Sequence, residues 1–405
     1  MRIGKFAKHN SLTIDTLRHY MDLGLIVPEK NGSHYFFDER CQKDLELILE
    51  YKGMGFSLNE IKTIFLYKNL GEFTAYEDDA YYQSLYKNKF KQLENEIENL
   101  IEVKSKLEKK MDQINKRTTG FNSVMGVDLS VLDKLRCVTC KGILTLEDGM
   151  INRNQILEGK LSCSCGSDYK IEEGIMIVGE PILQPVENPL NHFVFDYLHM
   201  TDPVYLENVQ KGGQWTKRKL AQCDLSNKVI LEPGSGVGFL LRSIYQDLPE
   251  NCLYIAVDRN LDRQRFLKNV LERTGLKRNI LFICSDFLST PIQDRSVDIV
   301  MDHAGTSNYS FEHETFLLKD IDYLIKQDAL LLASYIVFKN FDKNSKIEAC
   351  YRNHFKMDVI NEELYKLGYR ALEERISDSV DKGGKYEDYF VEGEEVFCNS
   401  FFGKR

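Results

Sequence analysis

The 405-residue chain has no apolar run near the roughly 18–20 residues that a membrane-spanning helix needs, so no membrane partner is expected. Its opening residues, MRIGKFAKHN, lack the apolar core of a secretory signal, and a cytoplasmic location follows as the expectation. A positive balance is missing too: 53 Lys and Arg stand against 62 Asp and Glu, a net charge of −9. That deficit argues against a nucleic-acid contact spread over the whole chain. Glycine and proline are both absent from residues 80–117, which excludes a turn or hinge there and favours one long helix.

What is present is unevenly placed. The length favours two to four domains, and 43% hydrophobic residues suffice for packed cores. Residues 1–37 carry five basic residues (Arg2, Lys5, Lys8, Arg18, Lys30) against three acids (Asp15, Asp22, Glu29). Phosphate binding depends on the local patch, so a DNA-binding head on an acidic body is compatible with the net charge. Ten cysteines in a reducing compartment do not suggest a disulfide framework. Four form two close pairs, Cys137/Cys140 and Cys163/Cys165; the rest read as small buried apolar residues.

The N-terminal third reads as short helices and a hairpin. Residues 3–9 form one short helical pattern. Thr13 suits an N-cap, Ile14, Leu17 and Tyr20 then fall on one face of a second helix, and Gly24 suits its end. Turn chemistry at Pro28–Gly32 and an apolar Tyr35-Phe36-Phe37 predict a β-wing over 31–37. Two further amphipathic helices are expected over 38–53 and 57–67, parted by Gly53-Met54-Gly55. The run IGKFAKHNSLTIDTLRHYMDLGLIVPEK, followed by YFFDERCQKDLELILEYKGMGFSLNEIKTIF, resembles the winged helix-turn-helix head of MerR-type transcription regulators. The resemblance covers about the first 67 residues and implies promoter DNA as a partner, with RNA polymerase engaged indirectly. It implies DNA contacts from Thr13, Thr16, Arg18, His19 and Tyr20 on the second helix and from Tyr35 on the wing. The Tyr20 ring has a competing reading as core. The wing departs from the family's Gly-Tyr-Arg run, having Gly32-Ser33-His34-Tyr35 instead.

Over 80–117, Tyr86, Phe90, Leu93, Ile97, Leu100, Lys104, Leu107, Met111 and Ile114 recur at alternating steps of four and three. This is a heptad seam with one polar member. The MerR resemblance implies that it pairs two chains as a homodimer; a single amphipathic helix lying on its own domain is the alternative. Thr118-Thr119-Gly120 reads as a linker.

The four paired cysteines suit a small ribbon over about 130–180. Two tight turns, each supplying two thiolates, make a tetrahedral zinc site. The spacing is Cys-x₂-Cys, 22 residues, then Cys-x-Cys, one residue short of the usual second knuckle, so free or redox-active thiols stay open as the alternative. The tail Tyr169–Ile175 resembles the zinc module ahead of the catalytic domain in some rRNA guanine methyltransferases.

In the C-terminal half, a buried strand runs into Glu232-Pro233-Gly234-Ser235-Gly236-Val237-Gly238 and then a helix. Further buried strands end in Asp258, Asp286 and Asp302. Strands alternating with helices, with acids at strand ends, predict an open α/β sheet with a ligand crevice there. Residues 190–405 resemble a class I S-adenosylmethionine-dependent methyltransferase. The resemblance assigns the cofactor to Glu232, Gly234, Gly236, Gly238, Asp258 (ribose), Asp286 (adenine amino group) and Phe287 (backbone N–H). NAD is the alternative cofactor. His303, Asp302 and Tyr309, after the fourth strand, are the candidates near the chemistry, although His303 equally suits a capping or core role. The aromatic-rich stretch 191–215 either covers the pocket or packs. No Asn-Pro-Pro-aromatic run of amino-group DNA methylation and no catalytic-Cys motif of cytosine C5 methylation occurs.

The expected architecture is therefore multidomain, α and α/β. It comprises a winged helix-turn-helix (1–79), a long coiled-coil helix (80–119), a small zinc ribbon (130–180) and a doubly wound, seven-stranded Rossmann-like methyltransferase sheet (190–405). Three functions are compatible with it: a regulator that recognises and methylates a small-molecule ligand, a regulator that only senses the cofactor, and a methyltransferase acting on RNA or another macromolecule.

Overall fold

The computed structural model describes every residue except 33, 71–74, 118–122 and 184–189. It divides into two compact units, Met1–Arg117 and Thr118–Arg405. The expected linker Thr118-Thr119-Gly120 lies outside the described residues.

The first unit begins with α1 (Ile3–His9) and α2 (Ile14–Asp22), followed by the hairpin β1 (Glu29–Asn31) and β2 (His34–Phe36). Then come α3 (Glu39–Gly53), α4 (Leu58–Leu70) and α5 (Ala75–Arg117). Side chains close the helix starts. Thr13 accepts the Thr16 N–H at 3.0 Å and Asp38 accepts that of Cys41 at 2.9 Å. Ser57 and Glu60 exchange bonds as a capping box. The wing hairpin starts earlier than the pattern predicts, at Glu29, and ends at Phe36 because Phe37 leaves the strand. It turns into the core and stacks on Phe6, ring centroids 4.6 Å apart.

Helix α5 is held to its own unit near Lys89. That ammonium is buried 3.0 Å from the Glu60 carboxylate and 5.0 Å from the Phe56 ring centre. Further along, the apolar seam is uncovered in the single chain. Phe90, Ile97, Leu100, Leu107 and Met111 are all more than half exposed. Among the described residues Lys104 pairs with Glu108, at 3.7 Å on the helix surface. The side chain of Ile114, the last expected seam position, lies outside the described residues.

The second unit opens with β3 (Val127–Asp128), β4 (Leu144–Asn152), β5 (Gln155–Cys163), β6 (Asp168–Glu172) and β7 (Ile175–Ile177). Helices α6 (Leu190–Met200) and α7 (Pro203–Leu220) lead into the alternating region. It runs β8 (Val229–Pro233), α8 (Phe239–Ile244), β9 (Leu253–Asp258), α9 (Leu261–Glu272), β10 (Asn279–Cys284) and β11 (Val297–His303). It continues through α10 (Gly305–Ser310), α11 (Leu317–Asp320), β12 (Ile325–Phe338), α12 (Met357–Lys366), β13 (Arg370–Ile376) and β14 (Val396–Lys404).

Seven of these strands form the expected doubly wound sheet, in the order β13-β14-β12-β11-β8-β9-β10, with β14 antiparallel to its neighbours. Alternate residues feed the two faces: Val229 and Leu231 enter one core, Ile230 the other. The sheet does not stop at β10. Strand β7 pairs with it in parallel, and β6, β5, β4 and β3 follow antiparallel. The ribbon and the α/β sheet are thus one sheet of 12 strands among the described residues. They also share a core, since Leu144, Ile156 and Leu161 of the ribbon join the cluster that contains Leu231 and Leu281. Among the described residues no helix is long and apolar enough to cross a membrane.

Candidate functional site

The strand ends β8, β9, β10 and β11 converge on two adjoining cavities of about 360 and 330 Å³. Between them runs the Gly-rich turn after β8. Gly234 and Ser235 donate their N–H groups to the Val257 carbonyl at 2.9 and 3.0 Å, which folds the turn back over β9. Gly234, Gly236 and Gly238 all have positive φ, which glycine adopts most readily. Their surroundings differ. A Cβ on Gly236 would meet nothing closer than 4.0 Å, whereas one on Gly238 would lie 2.1 Å from a Leu267 methyl of α9. Gly236 therefore borders open cavity, and Gly238 is required by helix packing.

Asp258, at the end of β9, is buried and accepts the N–H groups of Gly236 and Asn260, each at 2.8 Å. Each carboxylate oxygen keeps a lone pair for a ligand in the first cavity. Asp286, after β10, is exposed in the same cavity and accepts the Leu288 N–H at 2.9 Å. Phe287 and Tyr309 complete this end, ring centroids 6.5 Å apart.

Glu232 faces the second cavity and is almost fully buried. Burial pushes its carboxyl up to about 8; the Tyr254 hydroxyl, donating at 2.8 Å, opposes the rise, and the Asp258 charge adds to it. His303, the last residue of β11, lines the same cavity, and burial lowers its imidazole below the usual histidine range. The following residue, Ala304, has φ +64°, a strained value for a residue with a Cβ, and it begins the sharp turn into α10.

The three residues expected near the chemistry are separated. His303 borders the second cavity. Tyr309 borders the first, its hydroxyl against Thr315 and Asp320. Asp302 lines neither cavity: it is fully buried and accepts the N–H and hydroxyl of Thr306 at 2.8 and 2.6 Å, anchoring α10. Residues not anticipated from sequence also stand here. Gln264 of α9 donates to the Ala256 and Ile283 carbonyls at 3.1 and 3.2 Å, clamping β9 to β10 beneath the cavity. Arg263 borders both cavities and Glu387 the second; Asn308, which the sequence does place near the crevice, also borders both. Of the aromatic stretch over 191–215, Phe193, Tyr197 and Tyr205 reach the second cavity, while Trp215 is buried and donates to Glu373 at 3.2 Å.

The four paired cysteines come together with all Sγ atoms within 4.8 Å of one another. Cys140 and Cys163 are 3.3 Å apart, Cys137 and Cys165 3.6 Å. Thiolates at about 2.3 Å around a tetrahedral zinc lie under 4 Å apart, so the donor set fits such an ion despite the shortened second knuckle. Gly142 closes the cradle, since a Cβ there would come within 3.1 and 3.2 Å of two of the sulfurs. Burial tends to raise the Cys137 thiol, but the Tyr169 hydroxyl at 3.1 Å and nearby N–H groups outweigh it, holding the thiol down to about 5. Cys140 receives a bond from the Gly142 N–H, yet its thiol neighbours push it up to about 12.

In the first unit, Arg18 and His19 lie exposed on α2, and Arg18 is 3.2 Å from Asp15. The Thr13 and Thr16 hydroxyls are 2.8 Å apart at the helix start. Tyr35 is 38% exposed on β2. Tyr20 differs from this group. Its ring is 1% exposed in the core, and its hydroxyl accepts from Lys52 at 3.3 Å. The helical period that puts Tyr20 on the face of Leu17 turns it inward, so of its two readings the core one describes its position.

The geometry defines a small helical winged unit and, separately, an α/β unit with a crevice at its strand ends. Residues 1–68 match the family described as MerR HTH family regulatory protein, and residues 224–375 match the family described as Methyltransferase domain. The chain joins a MerR-family helix-turn-helix domain at its N-terminus to a methyltransferase domain in its C-terminal half.

Two curated relatives match the first part. The HTH-type transcriptional regulator ZntR homolog of Haemophilus influenzae is 34% identical over 79 residues, 19% of this chain and 58% of that protein. The HTH-type transcriptional regulator HmrR of Rhizobium leguminosarum bv. viciae is 32% identical over 65 residues, 16% of this chain and 50% of that protein. The chain thus spans little more than half the length of these relatives. Among solved structures, a SAM dependent methyltransferase from Aquifex aeolicus is 18% identical, with 54% of this chain and 98% of that one covered at a TM-score of 0.34. A SAM-dependent methyltransferase from Geobacter sulfurreducens in complex with S-adenosyl-L-homocysteine is 10% identical, with 51% and 100% covered at a TM-score of 0.38.

Proposed function

We propose that this protein is a MerR-type transcription regulator whose C-terminal domain binds S-adenosylmethionine and recognises and methylates a small molecule. The observation that carries this reading is the pair of cavities sharing the wall of Gly234, Gly236, Arg263 and Asn308. The first offers acids at two strand ends, suited to ribose hydroxyls (Asp258) and an adenine amino group (Asp286). The second, of about 330 Å³, has the volume of a small-molecule site. Bound S-adenosylmethionine supplies an electrophilic methyl group. Gly236 leaves room beside the turn, Glu232 orients the methionine end, and the aromatic side chains of α6 and α7 exclude water from the acceptor. Positioning of this kind is the main protein contribution to such a transfer.

At the other end, Arg18, His19, Thr13, Thr16 and Tyr35 contact promoter DNA, and the α5 seam pairs two chains. The cysteine cluster holds one structural zinc. Its four thiolates fill the coordination sphere, so the ion stabilises the ribbon and takes no part in the transfer.

Calorimetry with S-adenosylmethionine and S-adenosylhomocysteine tests the cofactor assignment. Both bind the wild-type protein, and Asp258→Ala weakens them by roughly 10- to 150-fold, since a hydrogen bond to a charged group is worth about 1.5–3 kcal/mol. A wild-type protein that binds neither at millimolar concentration overturns the reading.

A further inference from the structure

The second cavity is walled by aromatic rings. Phe193 and Tyr197 of α6 have centroids 6.1 Å apart. Tyr386 meets Phe193 edge-on at 5.3 Å and lies 6.0 Å from Tyr197. Phe239, the first residue of α8, is 5.4 Å from Tyr197. All four line the one cavity, and so does a carboxylate, Glu387.

Glu387 is held in place by hydroxyls. Oε1 accepts from Tyr197 at 2.6 Å and Oε2 from Tyr205 at 3.1 Å. Tyr205 in turn lies 2.9 Å from the Tyr389 hydroxyl. Among the described residues no Lys, Arg or His forms an ion pair with this carboxylate; burial drives its carboxyl up and only the two tyrosines oppose that rise. Each oxygen keeps a free lone pair. A half-buried carboxylate with no cationic partner is costly unless a counter-charge reaches it, and a desolvated cation is drawn to the faces of aromatic rings. The two features call for the same occupant. The other charged side chains on this wall are Glu232 and Arg263, and Arg263 also borders the first cavity.

We propose that the second cavity takes an organic amine as its ammonium form, with Glu387 as counter-charge and the rings of Phe193, Tyr197, Phe239 and Tyr386 as its walls. This names the class of the small molecule, and only the methyl-transfer step rests on the function proposed above. In that step Glu387 takes a proton from the ammonium and becomes the neutral acid. The freed nitrogen lone pair forms the N–C bond while the S–C bond of the sulfonium breaks. The electron pair of the broken bond stays on sulfur, giving S-adenosylhomocysteine and an N-methylated ammonium.

The test is calorimetry on the full chain with S-adenosylhomocysteine present, using choline and its uncharged isostere 3,3-dimethylbutan-1-ol as probes. Choline, already quaternary, reports binding alone. The wild type binds choline at millimolar concentration and the alcohol at least about tenfold more weakly. Glu387→Gln loses about tenfold or more for choline and keeps its affinity for S-adenosylhomocysteine. Tyr386→Leu weakens choline likewise and serves if the Glu387 variant does not fold. Equal affinity for the two probes, no choline binding, or a Glu387→Gln protein that binds choline as tightly as wild type overturns the proposal. Discrimination between the probes in a protein that binds no S-adenosylhomocysteine upholds the cation site and sinks the methyl-transfer reading instead.

Discussion

The Tyr254 hydroxyl donates to the Glu232 carboxylate across 2.8 Å between adjacent strands, and both side chains are buried. The bond favours the charged carboxylate, yet burial wins and the group titrates near 8 instead of 4.5. A carboxyl whose folded value is raised contributes stability that is complete below 4.5 and is lost as pH climbs through about 8. Melting temperatures recorded from pH 4.5 to 8.5 should therefore fall more steeply for the wild type than for Glu232→Gln. Tyr254→Phe, which removes the opposing donor, should move the loss to higher pH. Identical slopes in wild type and Glu232→Gln would contradict the assignment.

The glycines of the turn should separate into two classes. Gly238→Ala drives a Cβ into the Leu267 methyl of α9, so thermal stability should drop by about 1–3 kcal/mol, the usual cost of overpacking. Gly236→Val points into open cavity and should abolish cofactor binding, its stability cost coming from backbone strain at φ +54° and not from a packing clash. Differential scanning calorimetry and titration calorimetry on both variants distinguish the classes; a Gly236→Val protein with wild-type affinity would remove Gly236 from the cofactor wall.

One zinc per chain is expected by elemental analysis, with less than one in Cys140→Ser. A strong chelator should lower the melting temperature of the wild type and leave that of a Cys137→Ser/Cys163→Ser double variant unmoved. Stoichiometric zinc retained in the double variant would place the ion elsewhere.

For DNA, Arg18→Ala should weaken promoter binding and reduce the slope of log affinity against log salt by about one contact. Folding should change by less than about 0.5 kcal/mol, because the residue's described ion pair, with Asp15, is at the surface. Leu100→Asp with Leu107→Asp should yield monomers by light scattering, with DNA affinity lost alongside. A salt slope untouched by Arg18→Ala, or an intact dimer in the double variant, would each refute its own assignment.

Local patterns made much of the architecture legible. The Thr13 cap, the Gly24 stop and the buried run before Glu232 each depend on neighbours in sequence, and the helices and strands appear where those signals stand. The cysteine pairs were legible for the same reason. What escaped depends on distant partners. Glu387 carries no local mark, because its tyrosines lie on α6 and α7 and the chain between crosses the whole sheet. Asp302 looked like its neighbours Asp258 and Asp286, each an acid closing a strand. Only the turn at Ala304 decides that it anchors α10 instead of facing a cavity. Phe37 read as strand because nothing local reveals Phe6 waiting beneath it.

The union of ribbon and sheet has one more consequence. Strand β10 would be the rim of a seven-stranded sheet, its outward N–H and C=O groups a template for any passing strand. Here β7 pairs with Ile283 and Cys284 at the end of that rim, and β6 and then β5, which ends in Cys163, are stacked outside it. A fragment beginning at α6 would retain every strand end around both cavities and still present a bare, flat, apolar flank. Such a fragment is set to self-associate edge to edge, so the ribbon acts as the guard that keeps this domain from polymerising.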